Sequence, residues 1–143
     1  MAEIQFLDSS ALGRLVDAVS SAADVRAMIH GGGAVVCTLA IPESRSIINT
    51  KLRRGVDAAA AEEAWQLLLT AVEAVHVLDL DVDDHRAARD LLVGHRALSA
   101  ADALHLVAAR RAAAAGIGVT FVTADRLQAE VASELVDAVI LLD

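Results

Sequence analysis

Cysteine is almost absent from this 143-residue chain, which carries Cys37 alone. No internal disulfide can staple the fold, and a reducing cytoplasm is the expected compartment. The single thiol closes a short apolar run and reads as a small buried hydrophobe. Proline also occurs once, as Pro42. No Pro/Gly/Ser-rich stretch offers a place to divide the chain, so residues 1–143 are read as one domain. Aromatic residues are only 2% of the total, with no tyrosine; the core must therefore come from Leu, Val and Ile packed over Ala-lined helix faces. Charge interrupts every apolar run well short of the roughly 18–20 residues of a membrane helix. The start, MAEIQFLDSS, lacks the basic-then-apolar pattern of an export signal.

Positive charge is scarce as well. Twelve Lys and Arg against twenty Asp and Glu leave a formal charge of −8, and phosphate backbones are normally met by cations, so any contact with nucleic acid must be local. Arg45, Lys51, Arg53 and Arg54 fall within ten positions on one expected helix. They form a candidate RNA-facing patch, with an ordinary solvated helix face as the alternative.

What is present is a regular alternation. Ile4 to Leu7, Ala34 to Cys37, His76 to Leu80, Gly118 to Val122 and Ala138 to Leu142 read as strands, separated by helical patterns such as Asp57 to Val75 and Ser99 to Ala115. Near-continuously apolar strands alternating with helices predict an α/β sandwich around a parallel sheet buried on both faces. The glycines at 31–33, 55, 116 and 118 mark helix ends and turns, Pro42 fits a first helical turn, and Ser99 fits an N-cap.

In an open parallel sheet the carboxyl ends of all strands share one edge, where ligands bind. Asp8 follows the first strand directly, Asp125 follows the fourth after Thr123-Ala124, and Glu43 lies in the first turn of the helix after the second. Asp102 lies in the first turn of the helix opened by Ser99, where the helix dipole favours an acid in any case. Taken singly, each reads as a cap or surface group; the prediction is that all four meet at one rim. Two carboxylates ~4 Å apart repel by ~4 kcal/mol at an effective dielectric near 20. Mg²⁺ or Mn²⁺, hard ions that take carboxylate and water oxygens, would relieve that repulsion and suit phosphodiester hydrolysis.

Other constellations carry less. No histidine pair has metal-motif spacing, though His105 lies three residues after Asp102 on nearly the same helix face, where packing or hydrogen bonding is expected of it. Asp79, Asp81, Asp83 and Asp84 lack the Gly and terminal Glu of a Ca²⁺ loop and read as a solvated turn. The triple glycine precedes a strand, whereas a phosphate-binding loop follows one. A receiver or Asp-nucleophile phosphatase also puts an acid after its first strand. Such a domain needs a basic residue near a later strand end, but the only lysine, Lys51, is on an early helix, and Ser10 stands where those phosphatases have a second Asp.

The segments FLDSSALGRLV, IPESRSIINTKLRRG, LSAADALHLVAAR and VTADRLQAEVA resemble, in order and spacing, the four acidic motifs of the PIN-domain family. The short stand-alone form is similar to the toxins of VapBC-type toxin–antitoxin systems. The resemblance implies a PIN-like three-layer sandwich with a five-stranded parallel sheet of order 3-2-1-4-5. It further implies Mg²⁺- or Mn²⁺-dependent RNA cleavage, homodimerisation, and inhibition by a small antitoxin whose tail enters the acidic groove. Asp8, Glu43, Asp102 and Asp125 are then the catalytic, metal-holding residues, with Ser9 and Thr123 supporting the carboxylates by hydrogen bonding. A PIN-like domain that only binds RNA or protein is the alternative. The chain departs from the pattern at Pro42 and at Glu134-Leu135, which replaces a common glycine.

Overall fold

The structure is a computed structural model and describes residues 3–143. Its strands are β1 (Glu3–Leu7), β2 (Ala34–Cys37), β3 (His76–Leu78), β4 (Gly118–Thr123) and β5 (Ala138–Leu141). Helices α1 (Ser9–Arg14) and α2 (Ser21–His30) join β1 to β2; α3 (Ala40–Arg53) and α4 (Ala58–Ala74) join β2 to β3. Helices α5 (Val82–Gly94) and α6 (Ala100–Ala114) lead to β4, and α7 (Arg126–Ala132) leads to β5. All strand pairs are parallel, in the order β3-β2-β1-β4-β5.

Alternation along the strands builds the layers. Leu7, Val36 and Val122 pack on one side with residues of α1–α4, such as Leu12, Ile48 and Leu68. Phe6, Cys37 and Phe121 point to the other side, against Leu106, Ala109 and Val131 of α6 and α7. Strands buried on both faces explain the unbroken apolar runs. The rings of Phe6 and Phe121 stack 5.7 Å apart, so two of the few aromatics fill the centre of the second layer. Each buried ring contributes up to about 3 kcal/mol of apolar transfer.

The same routing makes the crevice. The chain leaves β1 and β2 over one face, crosses to the other after β3, and stays there through α7. The direction of travel therefore reverses between β1 and β4, and a gap opens at their carboxyl ends.

Most local signals act as read. Asp57 caps α4 by accepting from the N–H groups of Ala59 and Ala60, and Ser99 caps α6 through a reciprocal box with Asp102. Gly32 and Gly116, at φ 82° and 85°, supply the left-handed turns after α2 and α6. The third strand is shorter than expected: Asp81 caps α5, and the Leu80 N–H turns to Thr38 Oγ1 at 3.3 Å. The acidic turn is not wholly solvated either, since Asp84 is buried, closes the capping box with Asp81, and pairs with Arg111 at 3.3 Å. At Glu134-Leu135 the chain turns without a glycine. The Leu135 and Val136 N–H groups both donate to Ala132 O, and no non-glycine residue among those described needs positive φ. None of the described helices is long and apolar enough to cross a membrane.

Candidate active site

Asp8 stands in the crevice between β1 and β4. Its N–H donates to Val122 O at 3.2 Å, and its side chain caps α1, with Oδ1 accepting from the Ala11 N–H at 2.9 Å. Ser10 Oγ donates to the same oxygen at 2.7 Å, and Thr123 Oγ1 donates to Oδ2 at 2.5 Å. The residue is 1% exposed. Burial pushes the carboxyl above its ordinary value of 3.8, although hydrogen bonds from Thr123, Ser10 and Ala11 pull the other way. Desolvation thus outweighs three good donors, and among the described residues no Lys or Arg makes a salt bridge to Asp8.

Glu43 is brought to the same rim by α3, in whose first turn it lies. Ser9 Oγ donates to its Oε2 at 3.1 Å, and its Oε1 meets His105 Nε2 at 2.5 Å. Asp125 caps α7, accepting from the Gln128 N–H at 3.2 Å, while its own N–H donates to Thr123 Oγ1 at 3.0 Å. Asp102 lies in the first turn of α6; its carbonyl accepts from Gln128 Nε2 at 3.2 Å. A continuous set of hydrogen bonds therefore ties the segments bearing all four acids together: Thr123 links Asp8 to Asp125, Gln128 links Asp125 to Asp102, and adjacent Ser9 links Asp8 to Glu43.

The carboxylates do not form a ready-made cage. Among the described residues no group of three or more His, Cys, Asp and Glu is arranged to hold a metal ion. Asp102 reaches back to the Ser99 N–H at a long 3.5 Å and Asp125 to Gln128, each folded onto its own helix start. The donor set nevertheless suits a hard divalent cation: four carboxylates with hydroxyl support, all oxygen, one of them buried without a basic salt-bridge partner.

Ser10 was not legible in this role, whereas His105 packs and hydrogen-bonds as expected. Ser10, considered only as a missing phosphatase acid, donates to Asp8 and accepts from the Ala124 N–H at 2.8 Å. His105 is 1% exposed. Burial disfavours its charged form, but contacts with Cys37 and Glu43 more than offset that, and its pKa lies above the ordinary histidine value. The basic patch is divided: Lys51 is held by Asp17 at 2.7 Å, Arg45 lies 5.1 Å over the Trp65 ring, and Arg53 donates to Thr50 at 3.0 Å. Arg53 and Arg54 are both exposed.

A shallow cavity of about 260 Å³, lined by Ser9, Ser10, Glu43, Ser46, Ile47 and Thr50, opens beside the acids. A larger groove of about 750 Å³ runs between α2 and α4. Its lining is mostly apolar and includes none of the four acids, so chemistry is assigned to the rim.

Comparison with known proteins agrees with this fold. No curated protein sequence matches the chain. Among solved structures, PAE2754 from Pyrobaculum aerophilum is 21% identical with a TM-score of 0.69, over 98% of this chain and 91% of that one. FitAcB from Neisseria gonorrhoeae is 14% identical with a TM-score of 0.68, over 96% of each. Mycobacterium tuberculosis VapC20, described as a toxin that cleaves the sarcin–ricin loop, is 18% identical with a TM-score of 0.61, over 89% of this chain and 94% of that one. These likenesses concern the fold. The sequence itself matches the PIN-domain model over residues 6–134, a span that holds all four acids, the end of β1 and the whole of β2, β3 and β4, and the chain therefore belongs to the PIN-domain family.

Proposed function

We propose that this protein is an Mg²⁺-dependent endoribonuclease, with Mn²⁺ able to substitute, and the toxin of a VapBC-type pair. Its RNA-cleaving site is the rim formed by Asp8, Glu43, Asp102 and Asp125. The observation that carries the reading is Asp8: a carboxylate buried at the sheet's switch point, its pKa raised by desolvation, and joined through the Thr123 hydroxyl to the backbone of Asp125. PIN membership and the likeness to VapC20, a toxin, support it.

The four carboxylates would hold the ion, which when bound supplies Lewis-acid stabilisation of a phosphoryl oxygen and a water activated near neutral pH. The protein's own part is positioning. Ser10 and Thr123 fix both oxygens of Asp8, and Ser9 and His105 fix both oxygens of Glu43. Asp8 Oδ1 already accepts from both Ser10 and Ala11, whereas Asp8 Oδ2 and both oxygens of Glu43 accept one bond each and keep a lone pair free for a ligand. Asp102 and Asp125 would give up their cap contacts to hold it. Arg53 and Arg54 are the exposed part of the basic cluster that meets the RNA backbone, with Arg45 and Lys51 at its edge. A homodimer and a small antitoxin that covers the acidic rim complete the proposal.

The test is incubation of purified protein with RNA in Mg²⁺ or in EDTA, beside Asp102→Asn. Cleavage by the unaltered protein in Mg²⁺ alone supports the reading. RNA binding without cleavage in either buffer would make the chain a binding module, and labelling of Asp8 by acetyl phosphate would make it a phosphotransfer domain.

A further inference from the structure

His105 has surroundings that core packing alone does not require. It sits on α6 one turn after Asp102, with its ring against Phe6 and Cys37 of the sheet and its Nε2 towards Glu43 of α3. Its ring meets the edge of Phe6 at 6.3 Å and 73°. Nδ1 faces Cys37 Sγ at 3.4 Å, and Nε2 faces Glu43 Oε1 at 2.5 Å. The two ring nitrogens thus have different partners, both distant in sequence. A thiol S–H donating to Nδ1 leaves the proton on Nε2, which donates to the carboxylate. Nε2–H remains the donor whether the ring is neutral or charged.

Glu43 is the acid that most needs such help. It reaches the rim on a long side chain, is about a quarter exposed, and caps no helix of its own. Donors from two other elements grip it: Ser9 of α1 takes Oε2, and His105 of α6 takes Oε1. The ring that makes the second grip is itself fixed by Phe6 and Cys37, both fully buried. We propose that His105 is a positioning residue of the active site, its Nε2–H locking the Glu43 carboxylate in the orientation that receives the divalent ion. This rests on the nuclease reading above and adds to it the device that pre-organises its most flexible ligand. Outer partners of this kind are worth about 10–100-fold in metal affinity.

Two amides separate positioning from packing, since both delete the ring. The side-chain nitrogen of glutamine falls near the place of Nε2, and that of asparagine near Nδ1. Mn²⁺ alone is titrated calorimetrically into RNA-free protein. His105→Gln is expected to stay within about threefold of the unaltered affinity, whereas His105→Asn loses about tenfold or more. In a Glu43→Gln background, His105→Asn should cost nothing further. Equal losses for Gln and Asn, or no loss for Asn while the unaltered protein binds, would overturn the inference and leave the nuclease reading standing; no binding by the unaltered protein would overturn both. Nitrogen-15 spectra of the unaltered protein give a check that needs no variant: a proton must reside on His105 Nε2, and its absence there refutes the proposal.

Discussion

Thr123→Val isolates what holds the buried carboxylate in place. The two side chains have nearly the same shape, so the change removes one hydroxyl from a residue with no solvent exposure. That hydroxyl donates to Asp8 Oδ2 at 2.5 Å and accepts from the Asp125 N–H at 3.0 Å. A hydrogen bond to a charged group is worth about 1.5–3 kcal/mol and one between neutral groups about 0.5–1.5 kcal/mol, so the two losses together cost about 3 kcal/mol. At this chain length that corresponds to a fall in Tm of roughly 10 °C. Repeating the change in Asp8→Asn separates the two bonds. With no charge at position 8 the loss should shrink to about 1.5–2 kcal/mol, leaving a coupling of about 1 kcal/mol between the sites. The assay is urea unfolding of the four proteins at neutral pH without metal. Equal costs of Thr123→Val in both backgrounds would refute the claim that an ionised Asp8 is the partner of Thr123.

Asp8→Asn should itself abolish RNA cleavage while raising Tm in metal-free buffer. The amide can reconnect the network, donating to Thr123 Oγ1, which turns its proton to Ser10 Oγ. Because the folded protein holds the Asp8 proton more tightly than the unfolded chain does, ionisation costs stability above the raised value and nothing well below 3.8. The advantage of the variant should thus be greatest at neutral pH and close as pH falls towards 3.8; a gap independent of pH would exclude this cause. Phe121→Ala, which empties the centre of the second layer, should cost about 3–5 kcal/mol in urea unfolding. A cost under 1 kcal/mol would remove Phe121 from the core. Arg53→Ala with Arg54→Ala should weaken RNA binding and flatten its dependence on salt, whereas an unchanged slope would place the RNA elsewhere.

The elements were legible because the strands are short apolar runs and the helices start at recognisable caps: Asp8 after β1, Asp125 after β4, and Asp57 and Ser99 between helices each accept a local backbone hydrogen bond. Parallel topology then carried Asp8, Glu43 and Asp125 to one edge without further information. What escaped depends on contacts between elements far apart in the chain. The grip of His105 on Glu43 spans 62 positions and the bond between Lys51 and Asp17 spans 34, and no periodicity records either. Lys51 thus reads as a free cation until α3 is seen beside the end of α1. Asp84 was misread for the same reason, since its partner Arg111 lies on another helix. The family pattern supplied the strand order and the supporting hydroxyls Ser9 and Thr123, but not Ser10, whose bonds to Asp8 and Ala124 follow from this chain's own turn between β1 and α1.

Crystals of the unaltered protein soaked in Mn²⁺ and measured at the manganese absorption edge would test the four-acid rim most directly. The account predicts an anomalous peak bounded by Asp8, Glu43, Asp102 and Asp125, lost when Asp8 is replaced by Asn. A fully soaked crystal with no peak at that edge of the sheet, or with its strongest peak in the groove between α2 and α4, would contradict it.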